Sequence, residues 1–261
     1  MPVADIKGQT LHYRSDGDPR APCVVLSNSL GTDLSMWDAQ AEALAPHFHV
    51  LRLDTRGHGG SASHAGTAAC TIARLGQDVL DLLDHLDIGQ AHFCGLSMGG
   101  VTGQWLGVHA PRRLHKLVLA NTAARIGTTE GWRSRAQSVR TEGMAGIAAG
   151  AGARWFTPGF IAARPALVAA MLEKLARQSP EGYAACCDAL ASADLRTEIH
   201  AIVAPTLIIA GIHDPVTTLA DAVQMQQAIF HADVATVEAS HLSSIEAELA
   251  FTGLLLEFLR S

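Results

Sequence analysis

The chain has 261 residues, of which 48% are hydrophobic and 17% are charged, a composition that favours a globular protein over a disordered one. A formal net charge of -6 and a sequence pI near 6.1 argue against a nucleic-acid partner. No apolar run reaches membrane-spanning length and no leader pattern stands at the N-terminus, so we expect a cytoplasmic protein without membrane contact.

The first part of the chain alternates predicted strands with predicted helices. Extended segments flank residues 7–9 and predict a hairpin, and the apolar run at 23–27 is typical of a buried parallel strand. A predicted helix at 36–45 precedes a predicted strand at 49–54. The glycine-rich turn at 55–61 lacks the motifs of a phosphate-binding loop, so a structural turn is favoured over a phosphate site.

Two further units of the same kind follow. Residues 72–86 carry apolar side chains at helical spacing, and the apolar run at 91–94 predicts the next strand. A helix is predicted at 99–109 and a buried strand at 116–121. This alternation implies right-handed βαβ crossovers and a mostly parallel central sheet flanked by helices.

The alternation stops between residues 125 and 194, where Ala-rich helical stretches are separated by glycine and proline. We interpret 125–194 as a helical cap, inserted after the strand at 116–121, on a core formed by 1–124 and 195–261. The alternative is that these are ordinary helices of the main domain, with tryptophans as core residues. The predicted elements after the cap are a strand at 205–211, a helix at 219–229, a strand at 234–237 and a C-terminal helix.

The most informative motif is Gly95-x-Ser97-x-Gly99, which lies where a predicted strand turns directly into a helix. Such a turn strains the backbone of the serine, and only small residues can crowd around it. The hydroxyl of Ser97 would then be exposed at the edge of the sheet, near the positive end of a helix. An ordinary turn can show the same pattern, so the rest of the chain must decide.

A serine nucleophile needs a histidine to take its proton and a carboxylate to orient that histidine. In an open parallel sheet, reactive groups gather at the carboxyl ends of the strands. Asp214 follows one predicted strand and His241 follows the last one, both downstream of Ser97. The end of the predicted strand at 116–121 is another place at which the acid could stand, but Asn121 occupies it and has no carboxylate. We therefore predict Ser97, Asp214 and His241 as a catalytic triad.

Acyl transfer also requires donors for the developing oxyanion. One should be the backbone N–H of Met98, directly after the nucleophile, and the other that of Leu30, in the loop after the strand at 23–27. Met98 as core packing and Leu30 as a pocket wall are the alternative interpretations.

With these residues in place, the whole chain resembles the α/β-hydrolases and, among them, the 3-oxoadipate enol-lactonases of the β-ketoadipate pathway. The likeness to the lactonases depends on FCGLSMGGVTGQW at 93–105 and RWFTP at 154–158. LDTRGHG at 53–59, ANTA at 120–123 and the stretch 205–215 also carry the likeness. The turn around Ser97 and the loop of Asp214 are shared with many hydrolases and indicate the superfamily only.

The resemblance implies an α/β-hydrolase fold and hydrolysis of 3-oxoadipate enol-lactone to 3-oxoadipate in bacterial aromatic catabolism. It implies an acyl-enzyme and no cofactor, with a small anionic lactone as partner. We also expect no metal and a monomer or small homo-oligomer. Because the substrate is a carboxylate, a cation is expected in its pocket. Arg133 or Arg154 is the candidate, with Trp132 and Trp155 as apolar walls, although each arginine could also be a solvated surface residue.

Two other functions share these features. A general carboxylesterase, or a cofactor-free perhydrolase of the haloperoxidase type, would use the same triad. A receptor with the hydrolase fold would bind a lactone without turning it over; the intact triad favours catalysis. The five cysteines are an odd number without metal-ligand spacing, so free thiols are expected.

Overall fold

The computed structural model describes residues 3–61 and 70–261. Within these residues the chain forms one eight-stranded sheet. Its strands are β1 (Val3–Ile6), β2 (Gln9–Asp16), β3 (Cys23–Ser27), β4 (His49–Leu53), β5 (Ala91–Leu96), β6 (Leu114–Ala120), β7 (Thr206–Gly211) and β8 (Ala232–Val237).

The strands lie in the order β1-β2-β4-β3-β5-β6-β7-β8. β1 and β2 form the predicted hairpin, and β2 runs antiparallel to β4. Every pair from β4 to β8 is parallel. The prediction of a mostly parallel sheet is therefore confirmed, and the carboxyl ends of β3, β5, β6, β7 and β8 share one edge.

Helices cover the sheet, and its central strands are apolar because they are buried on both faces. All residues of β3, β5 and β7 are buried. After a 3-10 turn at Leu34–Trp37, the helices of this layer are α1 (Asp38–Leu44), α2 (Ile72–His85), α3 (Met98–His109), α9 (Leu219–Ala228), α10 (Ser243–Glu246) and α11 (Glu248–Arg260). The helix predicted at 72–86 begins after the N-cap Thr71, whose side chain accepts the N–H of Arg74 at 3.1 Å.

Between β6 and β7 the chain is helical. The five helices of this segment are α4 (Thr129–Glu142), α5 (Ala145–Trp155), α6 (Pro158–Ala163), α7 (Pro165–Ala176) and α8 (Pro180–Ser192). Proline begins α6, α7 and α8, where its missing N–H costs nothing. We keep the name cap for residues 125–194; its boundaries stay a prediction.

The cap packs closely on the core. A Cβ on Gly182 of α8 would lie 2.2 Å from the carbonyl oxygen of Gly57, so glycine is required at this crossing. All five cysteines lie in the described residues and are free thiols. Among the described residues, no helix combines the length and apolar character needed to cross a membrane.

Candidate active site

Ser97 lies between β5 and α3 with φ 58° and ψ -115°, a conformation that L-residues rarely adopt. Strain of this kind costs about 1–3 kcal/mol and persists only where the surroundings impose it. The N–H of Ser97 donates to the Ala120 carbonyl at 2.9 Å. Its own carbonyl accepts from Val101 N at 3.0 Å and from Thr122 Oγ1 at 2.8 Å. These bonds hold the serine at the sheet edge.

The flanking glycines are a steric necessity, as the sequence predicts. A Cβ on Gly95 would lie 2.1 Å from the carbonyl oxygen of Gly99. A Cβ on Gly99 would lie 2.3 Å from the carbonyl oxygen of Ser27. Strand, helix and the neighbouring β3 therefore meet too closely for a side chain at either glycine.

Asp214 and His241 follow β7 and β8, and the structure brings them together. Nδ1 of His241 lies 2.8 Å from Oδ2 of Asp214, and the two side chains are 5% and 0% exposed. A buried carboxylate needs several hydrogen-bond donors to be stable. Thr217 supplies them to Asp214 through Oγ1 at 2.7 Å and its N–H at 3.1 Å, and Val216 N adds another at 2.7 Å.

The environment keeps Asp214 ionised. Burial raises the pKa of its carboxyl, but the hydrogen bond and charge of His241, with donors from Asn121 and Thr217, lower the pKa below its ordinary value overall. A carboxylate at this place can orient the imidazole and stabilise its cation.

One cavity of about 410 Å³ lies between the core and the cap, and Ser97, His241 and Leu30 border it. The loop after β3 reaches this place because Asn28 accepts the N–H of Gly99 at 3.1 Å. Among the described residues, the N–H groups of Leu30 and Met98 donate to no other protein group. Both N–H groups predicted to bind an oxyanion therefore have no protein partner among the described residues. Leu30 borders the cavity together with Ser97, whereas Met98 follows Ser97 directly in the chain and is not among the residues that border the cavity.

Residues that the sequence did not single out hold this loop. Asn28 Nδ2 donates to the Leu53 carbonyl at 2.9 Å, and Trp37 Nε1 donates to Asn28 Oδ1 at 3.1 Å. Oδ1 of the buried Asp54 accepts the N–H of Leu34 at 2.7 Å. The LDTRGHG segment, which contains Asp54, therefore supports the loop of Leu30.

On the cap side, Trp132, Arg154 and Trp155 border the cavity and Arg133 does not. The roles of the first three in substrate binding stay a prediction. Arg133 is exposed on α4, whereas Arg135 borders the cavity. Residues three apart on a helix share a face, so Trp132 and Arg135 point the same way and Arg133 points elsewhere. Helical phase from Trp132 was the signal that identifies Arg135.

Arg135 and Arg154 are the cations of the cavity. The guanidinium of Arg135 lies 4.7 Å from the Trp132 ring centroid, and Arg154 Nη2 donates to the Ile147 carbonyl at 3.1 Å. Burial and the charge of Arg135 lower the pKa of Arg154. Among the described residues, neither arginine forms an ion pair with a carboxylate. Two half-buried cations without a counter-ion favour an anionic ligand.

Comparison with known proteins agrees with this geometry. A family model described as alpha/beta hydrolase fold matches residues 22–142. The chain is 48% identical to 3-oxoadipate enol-lactonase 2 of Acinetobacter baylyi, over 92% of this chain and 90% of the relative. It is 43% identical to 3-oxoadipate enol-lactonase 1 of that organism, over 99% of this chain and 96% of the relative.

The same relationship holds in three dimensions. The crystal structure of the enol-lactonase from Burkholderia xenovorans LB400 matches with a TM-score of 0.96 and 46% identity, covering 100% of each chain. The predicted fold class is thereby confirmed. The chain belongs to the α/β-hydrolase family, in the group that contains the 3-oxoadipate enol-lactonases.

Proposed function

We propose that the chain hydrolyses 3-oxoadipate enol-lactone to 3-oxoadipate, with Ser97 as nucleophile, His241 as general base and Asp214 as its partner. The observation that carries the proposal is a single cavity bordered by Ser97 and His241 on one side and by Arg135 and Arg154 on the other. A lactone that bears a carboxylate suits both sides of such a cavity.

The first half-reaction forms an acyl-enzyme. His241 Nε2 accepts the proton of Ser97 Oγ, and that oxygen attacks the lactone carbonyl carbon. Asp214 keeps the proton of the imidazole on Nδ1 and stabilises the imidazolium. The N–H groups of Leu30 and Met98 donate to the oxyanion. These hydrogen bonds are stronger in the transition state, where the oxygen carries negative charge, than in the substrate.

Collapse of the tetrahedral intermediate breaks the bond to the ring oxygen, which leaves as an enolate and takes the proton from His241. The resulting enol becomes a ketone. Water then loses a proton to His241 and attacks the acyl carbon. When the second tetrahedral intermediate collapses, Ser97 Oγ leaves and takes that proton back from His241. The product acid releases its own proton to solvent and becomes the second carboxylate. One water molecule is consumed and no redox partner is needed.

The guanidinium groups of Arg135 and Arg154 bind the carboxylate that the lactone already carries, in bonds assisted by charge. Trp132 and Trp155 provide the apolar walls beside the ring of the substrate. The substrate is thereby oriented with its carbonyl toward Ser97. This orientation distinguishes the lactone from a small neutral ester.

The decisive experiment is steady-state turnover of freshly prepared enol-lactone by the wild type and by Ser97→Ala. The variant should lose about 10⁴-fold or more in kcat, because the nucleophile is absent while the cavity persists. An unchanged rate in a folded Ser97→Ala protein would refute the mechanism.

The alternative of a carboxylesterase or perhydrolase is tested by comparing kcat/KM for the enol-lactone and for p-nitrophenyl acetate. Equal or faster turnover of the aryl ester would favour that alternative, and lactone binding without turnover would favour a receptor. The proposal includes a cytoplasmic location and a monomer or small homo-oligomer, which cell fractionation and size-exclusion chromatography test.

A further inference from the structure

The loop that carries His241 is attached to the cap on both sides of the histidine. Leu242 N–H donates to the Trp155 carbonyl at 3.0 Å. Ser240 Oγ lies 3.4 Å from the Arg154 carbonyl and 3.4 Å from the His213 carbonyl, so its one proton is shared between the cap and the core. The loop that carries the proposed base thus contacts the backbone of the RWFTP motif, which the proposed mechanism uses only for its side chains.

A third attachment runs through Glu246, in the last turn of α10. Its Oε2 accepts the N–H of Ser240 at 2.8 Å. Its two carboxylate oxygens also accept the N–H of Thr157, at 3.1 and 3.3 Å, and Oε1 accepts the hydroxyl of Thr157. Glu246 therefore joins Ser240, the residue before His241, to Thr157 of the cap, which is 89 positions from Glu246 in the sequence.

The charge of Glu246 is committed to these bonds. Its side chain is half-buried, and no lysine, arginine or histidine of the described residues forms an ion pair with it. Bonds from N–H and O–H groups to an ionised carboxylate are stronger than neutral ones. An exposed glutamate without such donors would instead pair with a cation or remain hydrated.

The other backbone group of Ser240 is fixed as well, since its carbonyl accepts Asn121 Nδ2 at 3.2 Å. Side chains from two distant elements thus hold both peptide groups that precede His241. Proton transfer demands that the imidazole stay within about 2.6–3.2 Å of the serine oxygen in the reacting complex. A shift of about 1 Å in such a group can cost about 100-fold in rate.

We propose that Glu246 is a positioning residue for His241, acting by fastening Ser240 to the cap segment 154–157. The same segment turns the side chains of Arg154 and Trp155 toward the cavity. The proposed base and the substrate wall are therefore parts of one hydrogen-bonded unit. The inference rests on the proposed roles of Ser97 and His241.

Glu246→Gln tests the inference, because an amide keeps the size of the side chain but offers one acceptor oxygen to three neighbouring donor groups. We expect kcat for p-nitrophenyl acetate and for the enol-lactone to fall between about tenfold and about 100-fold, with KM within twofold of the wild type. The presteady-state acylation burst should slow by the same factor. Glu257→Gln, on the exposed side of α11, is the matched control and should leave both values unchanged.

Thr157→Val tests the same link from the cap, because it removes the hydroxyl donor and leaves the N–H donor. The hydroxyl also caps α6 by accepting the N–H of Phe160 at 3.3 Å, so Thr157→Ser, which keeps the hydroxyl, is the control and should retain the wild-type kcat. For Thr157→Val a smaller loss in kcat, again with KM retained, is expected. If Glu246→Gln does not fold, Thr157→Val decides the question alone. A lowered kcat supports the link, and an unchanged kcat overturns it.

Ser97→Ala in the same assays separates the two proposals. Full activity in that variant would refute the proposed function. Loss of activity in Ser97→Ala, together with a folded Glu246→Gln protein whose kcat matches the wild type or whose only change is a higher KM, would overturn the role of Glu246 alone.

Discussion

The side-chain nitrogen of Asn121 donates to Oδ2 of Asp214 at 2.9 Å, and that oxygen also pairs with Nδ1 of His241. The same nitrogen donates to the Ser240 carbonyl, and Oδ1 of Asn121 accepts the hydroxyl of Ser243. A neutral amide therefore stands at the carboxyl end of β6, beside the carboxylate that follows β7. From the sequence, Asn121 could be excluded as the acid of the triad, but its contact with Asp214 could not be predicted.

Asn121→Asp should destabilise the protein, by an amount that depends on pH. Asn121 has φ 40°, which aspartate tolerates, so the backbone can remain as it is. The new carboxyl faces Asp214 and a carbonyl, so its pKa is raised in the folded state. The loss of stability is therefore small below the ordinary carboxyl pKa and grows as the pH rises. Urea unfolding should show a larger difference from the wild type at about pH 7 than at about pH 4; equal differences would contradict this account.

Replacing Ser97 by glycine should stabilise the fold relative to alanine. Both variants lack the nucleophile, but only glycine adopts the backbone angles of Ser97 without strain. Glycine relieves backbone strain of about 1–3 kcal/mol. This gain exceeds the extra entropic cost of ordering glycine on folding, which is about 0.5–1 kcal/mol. The free energy of unfolding of Ser97→Gly should exceed that of Ser97→Ala by about 1 kcal/mol. A less stable glycine variant would mean that the turn is not strained.

Arg135→Gln and Arg154→Gln should each weaken use of the enol-lactone and spare a neutral ester. A lost charge-assisted bond of about 1.5–3 kcal/mol corresponds to roughly 10–100-fold in kcat/KM for the anionic substrate. Turnover of p-nitrophenyl acetate should change little, since it carries no carboxylate. Arg133→Gln is the internal control, because its exposed side chain does not border the cavity. An equal effect of all three changes, or none, would argue against the anion site.

The elements that depend on local pattern could be predicted from the sequence. The apolar run before Ser97, the glycines beside it and the strand ends before Asp214 and His241 each reflect a local requirement for burial or close packing. Because parallel strands end at a common edge, those local patterns were enough to predict that the histidine and the aspartate lie close together.

Contacts that depend on how the cap sits on the core could not be predicted in this way. Arg135 instead of Arg133 borders the cavity because it lies on the same face of α4 as Trp132. The three-residue spacing indicates that shared face, but it does not show that this face of α4 meets the cavity. Glu246 contacts Thr157 because the connection between α5 and α6, which contains Thr157, passes beside α10. No residue near Glu246 in the sequence indicates that Thr157 is its partner.

His92 gives the protein a specific sensitivity to acid. It is 7% exposed on β5, and Nδ1 has no hydrogen-bond partner among the described residues. Burial first, and then the charges of His115 and Lys116, lower the pKa of His92 to about 4. In the unfolded chain the ring takes up a proton near its ordinary pKa of about 6.5. The folded state resists protonation until about pH 4.

Between the folded and unfolded pKa values of His92, the unfolded state binds more protons than the folded state. The free energy of unfolding therefore falls as the pH falls, and His92 contributes up to about 1.4 kcal/mol per pH unit to this fall. His92→Leu removes the titrating group and a buried polar atom without a partner. Its free energy of unfolding should therefore decline less than that of the wild type between about pH 6.5 and about pH 4. His231→Leu, at an exposed position before β8, is the control and should follow the wild type. Parallel curves for wild type and His92→Leu would show that His92 titrates alike in the folded and unfolded states.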